Sequence, residues 1–183
     1  MKAVILVGGD GKRMNGKIKP LLEKRGKTVL SHIIDNLDKY NINDIYLVIN
    51  DKKEFEQIKY KTVKNFTELK KIVKEYFLLL MGDTIAEINF DDLIDFHNKN
   101  PEVMTVVTHD YQIPYGVIEN GKWIEKPINE IAIGIFVCGP KDLTDDFSTF
   151  TASIKKFRTY KFNGNFIHLT KLEDYEKWKK SKF

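Results

Sequence analysis

Ala3-Val4-Ile5-Leu6-Val7-Gly8-Gly9 decides the fold. Five consecutive apolar residues are too short a run for a helix. With no polar alternation, they read as a strand buried on both faces. The pair of glycines then stops the strand. The same pattern returns at Ile45–Ile49, Phe77–Met81 and Val103–Val107. Helical spacing fills the intervals: Val29, Leu30, Ile33, Ile34 and Leu37 share one face, and Phe66, Leu69, Ile72 and Val73 repeat it. Asn89 caps a third helix through Phe90, Leu93, Ile94 and His97. Strand–helix alternation over the first 107 residues predicts an α/β fold with a doubly wound, mostly parallel sheet. Right-handed crossovers collect the loops on the strands' C-terminal edge, where ligands of open α/β sheets bind.

The second half changes character. Tyr115 to Ile124 holds two short β-prone runs around Asn120-Gly121, a two-residue hairpin signal. Ile131–Val137 is another strand, ended by Gly139-Pro140. Thr159 to Leu169 predicts a strand or a pair turning at Asn163-Gly164, and Lys171 to Lys180 closes the chain as a helix. The sheet is therefore expected to be mixed, with a β-hairpin excursion over the ligand edge.

With 183 residues, 42% hydrophobic, and no linker or repeat, the chain is expected to form a single domain over residues 1–183. The charge is +4, from 30 Lys+Arg against 26 Asp+Glu. The lysines are scattered rather than gathered between aromatics, so no nucleic-acid partner is expected. Apolar runs of five to seven residues are too short to span a bilayer, so no membrane partner is expected either. A single cysteine, Cys138, excludes an internal disulfide framework and a thiolate zinc cluster. The expected location is the cytoplasm.

Three places could carry chemistry. Gly8, Gly9 and Gly11 follow a buried strand and offer backbone N–H groups to an anion. Arg13 adds a planar cationic fork, and Lys19, held extended by Pro20, adds a second charge. The spacing fits neither the Walker loop nor the dinucleotide fingerprint. A surface turn with solvated charges is the plain alternative. Asp83, after Gly82 at the end of an apolar strand, is a hard carboxylate suited to Mg²⁺, or else a turn residue. Glu125-Lys126-Pro127 follows the hairpin and by itself is an ordinary exposed pair.

Val7-Gly8-Gly9-Asp10-Gly11-Lys12-Arg13-Met14, then Lys19-Pro20-Leu21-Leu22 and Gly26-Lys27-Thr28-Val29-Leu30, resembles the opening of the sugar-phosphate nucleotidylyltransferases. The likeness continues in order through Met81-Gly82-Asp83, Tyr115-Gly116-Val117, Glu125-Lys126-Pro127, Gly134–Val137 and Thr170–Tyr175. The resemblance implies a Rossmann-like nucleotidyltransferase fold. It also implies transfer of NMP from an NTP to a sugar 1-phosphate, with Mg²⁺ as cofactor and pyrophosphate released. It further implies that Leu6, Gly8, Gly9, Gly11, Arg13, Lys19 and Thr67 bind nucleotide, with Arg13 and Lys19 catalytic. Asp83 would bind the metal. Lys126 would take the acceptor phosphate and Glu125 the sugar hydroxyls, while Gly116 would let the sugar approach the backbone.

The chain also departs from that family. His168 stands where a second metal-binding Asp is usual, and imidazole suits softer metals than Mg²⁺. Ala132-Ile133-Gly134 replaces a sugar-contacting Asn-Ala-Gly, and the base-reading segment is shortened to Lys64–Thr67, so the base and the sugar are not read from these motifs. Two alternatives stand beside the main reading. One is a short guanylyltransferase of molybdenum-cofactor or cobalamin type, and the other a non-catalytic nucleotide-binding regulator. His32, His97 and His109 lack metal-ligand spacing and read as structural, Cys138 as core and Asp145-Asp146 as a polar loop.

Overall fold

The computed structural model describes residues 1–9, 11–49, 53–55 and 58–182, Arg13 by its backbone alone. Its strands are β1 (Lys2–Leu6), β2 (Glu23–Lys24), β3 (Lys27–Thr28), β4 (Asp44–Val48), β5 (Lys61–Val63), β6 (Phe77–Met81), β7 (Thr84–Ala86), β8 (Met104–Gln112), β9 (Val117–Glu119), β10 (Lys122–Ile124), β11 (Ile128–Cys138), β12 (Phe157–Lys161) and β13 (Phe166–His168). The helices are α1 (Val29–Asp38), α2 (Phe66–Ile72), α3 (Phe90–Asn98), α4 (Phe147–Ser153) and α5 (Leu172–Lys180).

Seven strands form the central sheet in the order β12-β8-β11-β6-β1-β4-β5. β1 lies between β4 and β6, parallel to both, and β5 extends the parallel run. β11 is antiparallel to its neighbours β6 and β8, and β12 joins β8 in parallel. The sheet is mixed and mostly parallel.

Burial of both faces follows from the apolar runs. Along β1, Ala3, Ile5 and Val7 enter the core beneath α1, α3 and α5, whereas Val4 enters the core under α2 and α4. All four are at most 1% exposed. α1 forms because Thr28 caps it, accepting from Ser31 N at 3.0 Å, and Val29, Leu30, Ile33, Ile34 and Leu37 fall on one buried face. Asn89 caps α3 as its sequence predicts.

β9 and β10 pair antiparallel around Asn120 (φ 50°) and Gly121 (φ 75°), the left-handed pair that a two-residue hairpin needs. This hairpin tips an arm. Gly134 packs against Met81 at the end of β6, and β11 runs six residues beyond it to Ile128, about 20 Å past the sheet edge. Residues 108–112 of β8 accompany it.

Thr159 to Leu169 forms two strands turning at 162–165, as expected, but they do not pair with each other: β12 joins β8 at the sheet edge, and β13 pairs with β7. The reason is competition. β8 and β7 each offer an unpaired ladder, and the chain from Phe162 to Asn165 is long enough to reach from one to the other.

Candidate active site

A cleft of about 630 Å³ opens at the C-terminal ends of β1, β4 and β6. β1 delivers Leu6, Val7, Gly8 and Gly9 to it, and Gly11 and Lys12 continue the wall. The loop coils around the Gly11 carbonyl, which accepts from Met14 N at 2.7 Å and Gly16 N at 3.1 Å. Gly11 adopts φ +67°, and a Cβ there would run into the Lys17 carbonyl.

Gly82 brings the two halves of the site together. Its N–H donates to Leu6 O at 2.9 Å, and a Cβ would lie 2.6 Å from that oxygen, so only glycine lets β6 leave the sheet this close to β1. The next residue, Asp83, therefore faces the loop. Lys19 Nζ donates to Asp83 Oδ2 at 2.8 Å, with side chains 16% and 13% exposed. A charge-assisted bond this sheltered fixes both groups. Asp83 Oδ1 is buried and has no hydrogen-bond partner among the described residues. His168 Nδ1 lies 3.7 Å from Oδ1 and itself bonds Thr84 Oγ1 at 2.7 Å. His168 stands opposite Thr84 in the β7–β13 register, so the sheet itself aims it at Asp83.

Lys19 is not extended as Pro20 predicted. It opens a 3₁₀ turn, Lys19–Leu21, with buried Pro20 near the start of the turn. A turn's first residues need no N–H donor, so proline is at home there.

Of the residues expected to bind nucleotide, Leu6, Gly8, Gly9, Gly11 and Lys19 line the cleft, as does Asp83. Arg13 lies on the 3₁₀ turn Lys12–Met14, and its side chain falls outside the described residues. Thr67 does not line the cleft. It is exposed on the first turn of α2, and Asn65 and Phe66 reach the wall instead. Gly116, Glu125 and Lys126 lie on the arm and do not line the cleft either. The space over Gly116 is taken by the Trp123 indole, which a Cβ would strike, so the bare backbone there is covered.

Asp145, Asp146 and Phe147 complete the opposite wall. The sequence marked Asp145 and Asp146 only as a polar loop and gave no signal at Phe147. Asp146 caps α4, accepting from Thr149 N at 2.8 Å, and this bond holds its carboxyl below the usual range. His97, His109 and Cys138 sit in structural settings. His97 bonds Thr105 within the core, His109 faces the Phe162 carbonyl, and burial pushes the Cys138 thiol well up. Among the described residues no group of three or more His, Cys, Asp and Glu is placed to hold a metal, and no helix is long and apolar enough to cross a membrane.

Residues 3–115 match the MobA-like NTP transferase domain. The chain belongs to that family. It is 28% identical to a mannose-1-phosphate guanyltransferase of Yarrowia lipolytica over 79% of this chain and 52% of that one. It is 30% identical to the mannose-1-phosphate guanylyltransferase catalytic subunit beta of Dictyostelium discoideum over 76% and 50%. The chain thus spans about half the length of these relatives. Among solved structures, HddC from Yersinia pseudotuberculosis superposes with a TM-score of 0.74 at 20% identity, covering 96% of both chains. A Bacillus anthracis protein assigned as a glucose-1-phosphate thymidylyltransferase reaches 0.73 at 17%, covering 100% of this chain and 97% of that one. These superpositions establish the Rossmann-like nucleotidyltransferase fold.

Proposed function

We propose that the chain transfers the NMP part of an NTP to a sugar 1-phosphate. A phosphate oxygen of the acceptor attacks the α-phosphorus in line and the new P–O bond forms. The bond from Pα to the bridging oxygen breaks, and its electron pair leaves with pyrophosphate. The attacking oxygen is already anionic, so no general base is required. The protein's task is to hold two polyanions together and offset their charge. The observation that carries this reading is the convergence of the glycine loop, Lys19 and Asp83 in one cleft at the sheet's C-terminal edge.

Backbone N–H groups of Gly8, Gly9 and Gly11 and the cations Arg13 and Lys19 would hold the triphosphate, with Leu6 at the nucleoside end. Lys126 and Glu125 would receive the acceptor from the arm. A divalent cation fits Asp83: a buried carboxylate oxygen without a donor is an acceptor-only atom that a hard cation satisfies. When bound there, Mg²⁺ would neutralise triphosphate charge. Lys19 would meanwhile keep its place on the other carboxylate oxygen.

The relatives' names support the sugar-phosphate reading, and their guanylyl transfer favours GTP as donor. The family match ends at residue 115, before the hairpin at the arm's tip, and this favours a second reading: guanylyl transfer to a phosphorylated cofactor precursor. An assay separates them. The protein is incubated with Mg²⁺, each NTP in turn, and a panel of sugar 1-phosphates or phosphorylated pterin, and pyrophosphate is measured. Release that requires a sugar 1-phosphate supports the proposal. Release that requires the pterin supports the second reading, and binding of nucleotide with no release under any condition overturns both.

A further inference from the structure

We infer that Trp123 is the platform on which the acceptor's sugar ring lies, an inference that rests on the sugar-phosphate reading above. Trp123 is 67% exposed, on an arm that also exposes Tyr115 (68%), Ile118 (71%) and Ile128 (65%), an apolar patch of the kind that marks a binding surface. It sits on β10, at the tip of the arm that β11 and β8 extend past the C-terminal end of β6, the edge at which the cleft opens. Gly116 packs against the indole at Cε2, Cζ2 and Cη2, and Nε1 donates to Glu125 Oε2 at 3.1 Å, so one side of the ring is pinned. The exposure left to the ring presents an apolar surface whose orientation is already fixed.

That arrangement matches one ligand chemistry. A pyranose has an apolar C–H face and a rim of hydroxyl donors. The open indole surface suits the first, and the remaining lone pairs of Glu125 suit the second. Lys126 follows directly, in the left-handed conformation (φ +45°) and exposed, with a charge complementary to the sugar's phosphate. The covering of Gly116 acquires a purpose: the bare α-carbon seats the indole, and the indole, rather than the backbone, meets the sugar.

The test uses Trp123→Ala and Trp123→Phe, with buried Trp178 (1% exposed) as the internal reference fluorophore. In the wild type, mannose 1-phosphate or glucose 1-phosphate should shield the exposed tryptophan from acrylamide in a saturable way, and inorganic phosphate should not. Trp123→Phe should abolish this signal. In the pyrophosphate assay, Trp123→Ala should raise the acceptor KM about tenfold while the NTP KM stays within twofold, with Trp123→Phe recovering part of the loss. An active wild type with an unchanged acceptor KM in Trp123→Ala overturns the platform and leaves the sugar-phosphate reading standing. A concentration-dependent dimer lost in Trp123→Ala, with acceptor KM unchanged, assigns the patch to a second copy and also overturns it. No pyrophosphate from the wild type with any sugar phosphate, and no shielding, overturns both.

Discussion

At the residue scale the site rests on one ion pair. Lys19 and Asp83 are 64 positions apart in sequence and 2.8 Å apart in space, each mostly sheltered from water. Breaking such a pair from one side costs more than its net worth, because the remaining charge is left unsatisfied. Lys19→Met strands an Asp83 carboxylate whose Oδ1 already lacks a partner. Thermal or denaturant unfolding should therefore show Lys19→Met destabilised by about 1–3 kcal/mol, and Lys19→Met/Asp83→Asn recovering much of that loss. Additive single effects would contradict the coupling. Both residues were legible in sequence because each follows a local signal, a glycine loop with Lys-Pro and a Gly-Asp after an apolar strand. Their pairing was not legible. It depends on Gly82 allowing β6 to approach the Leu6 carbonyl, a tertiary contact.

At the element scale, strands announced by uninterrupted apolar runs form where the sequence puts them, because burial on both faces leaves no other use for such runs. The sheet's far side was harder to read. Short β-prone runs near residues 159–168 carry no information about which ladder they will join. The wall made by Asp145, Asp146 and Phe147 is likewise set by packing. Phe150 of α4 is fully buried among Phe136, Phe147 and Phe66, with ring centroids 5.6, 5.8 and 6.2 Å away. That cluster ties α4 to α2 and so brings the two acidic residues to the cleft. Phe150→Ala should cost about 3–5 kcal/mol by denaturant titration. A cost below 1 kcal/mol would show that α4 is held by something else.

At the scale of the whole molecule, two histidines make stability depend on pH. Burial first, then the Arg158 guanidinium, holds the His97 imidazole below its usual 6.5, and burial does the same to His32. The folded protein keeps both neutral where the unfolded chain would protonate them. Their contribution is thus full above about pH 6.5 and is lost as pH falls from there toward the lowered folded values. The denaturation midpoint should fall between pH 7.5 and pH 5.5, and His97→Gln should narrow the gap. The carboxyls of Asp44, Asp146 and Glu173, which are lowered by their hydrogen bonds, titrate below this window. An equal midpoint at both pH values would contradict the neutral, buried assignment.

The doubly wound sheet puts the glycine loop, Lys19 and Asp83 on one edge, where the proposed reaction needs them to act together on a nucleoside triphosphate. The most direct measurement is pyrophosphate release by Lys19→Met against the wild type, normalised to folded protein, with GTP, Mg²⁺ and the best sugar 1-phosphate. Loss of one charge stabilising a polyanionic transition state predicts a fall in kcat of about 10²–10³-fold. A rate within twofold of the wild type would contradict it.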